Sequence, residues 1–132
     1  MDLKLDNLLL DENLRLKISD FDSSYKRGDS TICSRGTRNY RAPEVLKETC
    51  DDPEAADIYS AGIILFVMMT GCFPYKEDDK EQLCALWDLL KEESPIFWDM
   101  HAKISKNKIY LKEDFKTLFF SMVKQDNVER AT

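Results

Sequence analysis

Four side chains near the N-terminus could do chemistry together. Asp2, Lys4 and Asn7 fall within Asp2-Leu3-Lys4-Leu5-Asp6-Asn7, and Asp20 opens Asp20-Phe21-Asp22, thirteen residues after Asn7. The set holds two carboxylates, an ammonium and a carboxamide. Carboxylate and carboxamide oxygens are hard donors that suit magnesium. A carboxylate within hydrogen-bond reach of a hydroxyl can orient it and take its proton, and an ammonium can offset phosphate charge. Phosphoryl transfer asks a protein for these parts, because the protein supplies position and charge rather than covalent chemistry. Each residue alone has a plainer reading: a surface charge for Asp2 or Lys4, a turn or cap for Asn7, a strand end for Asp20. Their joint spacing is what singles them out.

Periodicity outlines the elements that must position them. Leu8-Leu9-Leu10 and Leu14-Arg15-Leu16-Lys17-Ile18 read as short strands around an Asp11-Glu12-Asn13 turn, and the second alternates apolar with polar residues. Ser23 to Arg41 has few apolar positions and many Ser, Thr and charged residues, which predicts a long functional loop. Asp57 to Thr70 predicts a helix apolar on almost every face and therefore buried on all sides, stopped by Gly71 and Pro74. Lys80 to Lys91 predicts an amphipathic helix, with Leu83, Leu86, Trp87 and Leu90 at helical spacing. Pro95 to His101 carries Phe97, Trp98 and Met100 in a loop or short helix. Lys112 to Lys124 predicts a further helix, with Phe115, Leu118, Phe119, Met122 and Val123 on its apolar side. The expected fold is one mostly α domain that opens on a small β-hairpin.

The 132 residues are enough for a domain with its own core, and 43% hydrophobic against 33% charged residues suits a soluble globular chain. A net charge of −6 argues against nucleic acid or an anionic membrane as partner, and its plainest reading is a solvated acidic surface. Cys33, Cys50, Cys72 and Cys84 form no C-x-x-C pair and His101 is the single histidine, so no zinc site is expected. With no signal peptide in view, reduced thiols and a cytoplasmic location are expected. The most apolar run, Ala61 to Met69, is too short to span a bilayer.

Asp2 to Asn7 resembles the protein-kinase catalytic loop H-R-D-L-x-x-x-N without its His and Arg, and Asp20-Phe21-Asp22 resembles D-F-G with the glycine replaced. Gly36-Thr37 and Ala42-Pro43-Glu44 match the end of a kinase activation segment. Asp57-Ile58-Tyr59-Ser60-Ala61-Gly62 resembles D-x-W-S-x-G with Tyr59 for tryptophan. By these motifs the chain is similar to the eukaryotic serine/threonine protein kinases, and most like their calmodulin-dependent and AMP-activated groups. The resemblance implies a partial kinase domain over residues 1–132: catalytic loop 1–10, activation segment 20–44, central buried helix 57–70.

The resemblance also implies roles. Asp2 matches the catalytic base, Lys4 the lysine that neutralises the transferring phosphate, and Asn7 and Asp20 the magnesium ligands that hold ATP. Leu9 matches the floor under adenine. Thr37 matches the threonine that contacts the catalytic loop and, with Lys4, points to serine or threonine rather than tyrosine as acceptor. Glu44 matches a glutamate that pairs with an arginine, for which Arg130 is the candidate. Asp57 matches an aspartate that holds the catalytic-loop backbone; it also reads as a helix N-terminal acid favoured by the macrodipole. Ser30, Thr31 and Ser34 lie where kinases are phosphorylated, and are equally well read as loop polarity. The arginine that receives such a phosphate precedes the base in the family, and Met1 stands there, so control by this route is not expected.

Several family parts are missing from the sequence: the Gly-rich loop, the strand lysine and its glutamate partner, the hinge, and the last helix. The small lobe is thus expected to be absent, leaving an exposed apolar face and little catalysis by these residues alone. The expected activity is transfer of the ATP γ-phosphate to protein Ser or Thr by the parent domain, with magnesium. The rivals are a pseudokinase or interaction module and a fragment without function. Asp22 is the second departure, because glycine there permits backbone conformations costly for other residues.

Overall fold

The computed structural model describes residues 2–25, 36–48, 50–75, 80–104 and 111–131. The hairpin forms from β1 (Leu8–Leu10) and β2 (Leu16–Ile18), antiparallel with Leu8 opposite Ile18 and Leu10 opposite Leu16. The second strand starts two residues later than its pattern suggested. Asp11 Oδ1 accepts from the amides of Asn13 and Arg15, both at 2.9 Å, and Leu14 takes a left-handed φ of 60°, so the turn absorbs Leu14 and Arg15. The alternation in β2 does not bury one face either: all three of its residues are exposed. Leu9, Leu10, Leu14, Leu16, Ile18 and Phe21 make this end of the molecule an exposed apolar surface.

Beyond the hairpin the described structure is helical: α1 (Pro43–Leu46), α2 (Pro53–Thr70), α3 (Lys80–Lys91), α4 (Pro95–Ile104) and α5 (Glu113–Met122). The central helix α2 begins four residues before Asp57. Asp52 is its N-cap, accepting from the amides of Glu54 and Ala55 at 3.0 Å, and Pro53 occupies the first helical position, where it needs no hydrogen bond. Asp57 therefore sits on the second turn rather than at the N-terminus, where the macrodipole would have favoured it. Gly71 ends the helix with φ 73°, its amide donating to the Val67 carbonyl at 2.8 Å.

Helix α2 is not buried on all sides. Tyr59, Ile63 and Phe66 are fully buried, but Met68 and Met69 at its end are exposed. By length and composition alone α2 could cross a membrane; here its buried face is the centre of the core. Gly62 permits the approach of α5, since a Cβ there would lie 2.8 Å from Val123 Cγ1. On α5, Phe115, Phe119 and Met122 form the inward stripe at helical spacing, whereas Leu118, a 100° rotation away from Phe119, is exposed. Leu83 was expected on the apolar face of α3; its side chain lies outside the described residues, and Leu86 and Leu90 supply the buried positions.

The core is aromatic. The Phe66 ring lies 4.8 Å from that of Phe119 and 5.7 Å from that of Phe97. His101 on α4 is buried against Phe97 at 4.5 Å. Its Nε2 is 2.9 Å from the Pro74 carbonyl, which can only accept, so Nε2 carries the proton and Nδ1 faces Cys72 Sγ at 3.9 Å as an acceptor.

The Arg130 side chain binds the ends of the helical frame together. It pairs with both Glu44 oxygens (Nη1–Oε1 2.5 Å, Nη2–Oε2 2.7 Å), donates to the carbonyls of Ala55 and Lys124, and lies 5.1 Å from the centre of the Tyr59 ring. Arg130 is 4% exposed.

Two outcomes follow for stability. Arg130→Ala strips a largely buried carboxylate of its guanidinium, and should lower unfolding free energy by about 3–5 kcal/mol in urea denaturation. Burial also lowers the His101 pKa, against the opposing pull of the Pro74 carbonyl. The fold thus prefers neutral imidazole. This contribution is complete above the ordinary value of 6.5 and is lost as pH falls from 6.5 through the folded value. Denaturation midpoints should drop across that window, and the slope should flatten in His101→Gln.

Candidate active site

The turn Leu5–Asn7 precedes β1 and holds Asn7, which is only 6% exposed. Across the hairpin, the Ser19 amide donates to the Asn7 carbonyl at 2.9 Å and the Ser19 hydroxyl to the same oxygen at 3.2 Å. This extends the Leu8–Ile18 register by one pair. It also sets Asp20, the next residue, beside Asn7 at one end of the hairpin. Asp20 is exposed and takes a left-handed φ of 62°, a conformation that Asp tolerates better than most residues.

Asp2, Lys4 and Thr37 form one hydrogen-bonded cluster. The Thr37 amide donates to Asp2 Oδ1 at 2.7 Å and its hydroxyl to Oδ2 at 3.3 Å. Lys4 Nζ lies 3.0 Å from Asp2 Oδ2 and donates to Thr37 Oγ1 at 3.1 Å. A carboxylate has about four lone-pair sites. Three are occupied here, which leaves one on Oδ1 without a partner among the described residues. Partial burial alone would raise the Asp2 pKa. The Thr37 amide, Lys4 and the Thr37 hydroxyl outweigh it and hold the carboxyl below its ordinary 3.8. Asp2 is therefore an ionised acceptor at neutral pH. Its hydrogen bond to Asp2 raises the Lys4 pKa, against a smaller burial effect, and the charges of Asp2, Asp6 and Asp20 add to the rise. Lys4 remains a cation.

Asn7 Nδ2 donates to the Asp2 carbonyl at 2.8 Å. That bond sets the sense of the amide and leaves Oδ1 as the free hard donor. Among the described residues no group of three His, Cys, Asp or Glu side chains converges as a metal cage. An amide oxygen and one carboxylate suit magnesium, which keeps several waters and relies on substrate phosphates for the rest of its shell. The residues present fit that ion.

The remaining candidates are more scattered. Leu9 lies on β1 with its side chain 52% exposed. Asp57 is half-buried on α2. Glu44 and Arg130 pair with each other in the frame, away from the Asp2 cluster. Ser30, Thr31 and Ser34 lie outside the described residues.

Four supporting residues, Gly36, Arg41, Ser60 and Ser19, had been given no role of their own from the sequence. Gly36 takes φ +97° beside Asp2, and Arg41 donates to its carbonyl through Nε at 2.8 Å and through Nη2. Ser60, a lone hydroxyl in an apolar run, donates to the Tyr40 carbonyl at 2.7 Å and ties α2 to the turn that follows Thr37. Ser19 joins Asn7 to Asp20. Gly36 and Ser60 were visible in the sequence only as motif positions.

Comparison with known proteins matches residues 1–132 to the family described as protein kinase domain. Probable serine/threonine-protein kinase MARK-B of Dictyostelium discoideum is 38% identical over 135 residues, covering 99% of this chain and 17% of the relative. CBL-interacting serine/threonine-protein kinase 8 of Arabidopsis thaliana is 41% identical over 111 residues, covering 82% of this chain and 25% of the relative. CBL-interacting protein kinase 24 of Oryza sativa subsp. japonica is 46% identical over 87 residues, 59% of this chain and 18% of the relative. The chain thus spans a quarter or less of the length of these curated relatives.

A Cβ at Gly36 would lie 3.1 Å from Asp2 Oδ1, at a φ that L-residues rarely adopt. Gly36→Ala should cost about 1–3 kcal/mol in denaturation. Because the Thr37 amide would be displaced, the Asp2 carboxyl should titrate closer to 3.8 by NMR.

Proposed function

Because this chain belongs to the protein kinase domain family, we propose that it carries the catalytic and activation segments of a serine/threonine protein kinase. The parent domain moves the γ-phosphoryl group of ATP to a Ser or Thr hydroxyl of a protein substrate. The observation that carries this reading is the Asp2 carboxylate: ionised, held on three sides by Thr37 and Lys4, and open on one lone pair.

Magnesium-bound ATP supplies the electrophilic phosphorus. In this chain Asp2 orients the acceptor hydroxyl and takes its proton as oxygen attacks. Lys4, kept charged by Asp2, offsets the charge spreading over the transferring oxygens. Asn7 and Asp20 are the residues that would hold the metal. Thr37 joins the activation segment to the catalytic loop through Asp2, so the base is in place only when that segment is docked. The relatives are named as serine/threonine-protein kinases, which supports Ser or Thr as the acceptor.

The apolar surface from Leu9 to Phe21 supports a role for the rest of a kinase domain as its cover, in keeping with the share of the relatives that this chain spans. The same surface would also serve a non-catalytic docking module, and one substitution separates the two.

In the intact protein, Asp2→Asn should lower transfer of radiolabelled γ-phosphate to Ser/Thr peptides by about 10²–10⁴-fold, with the fold retained by circular dichroism. Undiminished incorporation in this variant, or none in the wild type, would favour the docking module.

A further inference from the structure

The family pattern has glycine after Asp20-Phe21, and this chain has Asp22. The structure shows that the exchange is not a backbone problem. Among the described residues the non-glycine positions with positive φ are Leu14, Asp20, Glu48 and Glu93. The left-handed residue of this turn is Asp20, so Asp22 needs none of the freedom that glycine would supply. What the exchange adds is a charge.

That charge is held close to Asp20. The Asp22 amide lies 3.4 Å from Asp20 Oδ1, and the Ser24 amide donates to the Phe21 carbonyl at 2.9 Å, closing the turn that carries Asp22. Two residues of chain limit the separation of the two Cα atoms to ~7 Å. The Asp22 side chain is exposed, and no lysine or arginine among the described residues pairs with it.

Asn7 provides an independent observation at the same place. It is a buried polar side chain whose Nδ2 is committed to the Asp2 carbonyl, while its Oδ1 accepts from no donor among the described residues. Ser19 links it to Asp20. Because it is not among the buried unpaired atoms, this oxygen reaches solvent, and an unused amide oxygen followed across the hairpin by an exposed aspartate is a donor pair for a hard cation.

We propose that Asp22 is an electrostatic member of this cation site, raising its affinity for divalent ions in the absence of nucleotide. The inference rests on the kinase reading above, in which Asn7 and Asp20 are the ligands. Asp22 acts through its field rather than by ligation. With the two Cα atoms no more than ~7 Å apart and side-chain reach added, a full negative charge about 7–12 Å from a divalent ion in water should strengthen binding roughly three- to tenfold. Because the carboxylate is exposed, salt should screen the gain.

The test is Mn²⁺ binding to the intact protein without nucleotide, followed by the electron paramagnetic resonance signal of free Mn²⁺. Wild type, Asp22→Asn, Asp22→Gly and Asp20→Asn would be compared at about 0.01 M and about 1 M salt. Asp22→Asn and Asp22→Gly should each weaken binding roughly three- to tenfold at low salt and converge on wild type at high salt. Asp22→Gly restores the family residue, so it covers the case in which asparagine disturbs the turn. Wild-type affinity in either variant at low salt overturns the proposal. Unchanged binding in Asp20→Asn would instead overturn the metal assignment on which the proposal rests.

Discussion

A guanidinium taken out of water must have its donors satisfied, and Arg130 meets that demand with groups from three parts of the chain. Glu44 comes from α1, the Ala55 carbonyl and the Tyr59 ring from α2, and the Lys124 carbonyl from the segment after α5. Burying a charge costs several kcal/mol unless every partner is in place. The cost therefore falls on any arrangement in which α1, α2 and the end of α5 are shifted relative to one another. Apolar contacts between the same helices could slide with smaller penalties. The bidentate geometry adds direction, since a planar fork matches a carboxylate in few orientations.

The site is built outward from this frame. Helix α2, held at its first turn by Asp52 and by Arg130, presents Ser60 to the Tyr40 carbonyl. Tyr40 is buried and packs edge-on against Phe73 at 5.3 Å. That fixes the end of the segment whose start, Gly36-Thr37, holds Asp2. The Asp2 carboxylate thus depends on contacts that run through the core. Its low pKa comes from an amide and an ammonium placed by tertiary structure, working against the burial that the same structure imposes.

Hairpin and core differ in kind. The helical core is closed and aromatic, with Phe66, Phe97 and Phe119 fully buried. In the hairpin the backbone is paired but Leu9, Leu10 and Leu16 stay in water, and only Leu8 packs partly against the core. A two-stranded sheet in that state contributes little stability by itself. Its order comes from Asp11 at the turn and from Ser19 and Asn7 at the open end. That open end carries Asn7 and Asp20, so the proposed ligand pair sits on backbone held by polar bonds.

Local chemistry made much of this molecule legible in advance. The hairpin, the helix from Lys80 to Lys91, the stop at Gly71 and the spacing of Asp2, Lys4, Asn7 and Asp20 all follow from short-range patterns, because turns, caps and 3.6-residue periodicity involve neighbours in the chain. The start of α2 was misplaced because Asp52 and Asp57 are both plausible N-terminal acids, and only the cap geometry separates them. Leu118 and Met68 were assigned inward because hydropathy does not say how much of a helix its neighbours cover. Sequence by itself determined which residues have the chemistry that phosphoryl transfer asks for and the order of the elements that carry them. Tertiary structure decided that Thr37 and Lys4 meet on Asp2, that Asn7 turns its oxygen outward, and that Asp20 rather than Asp22 takes the strained backbone. These depend on contacts across 33 and 35 residues of chain and on which hydrogen-bond partners burial leaves available, and neither is written in any local pattern.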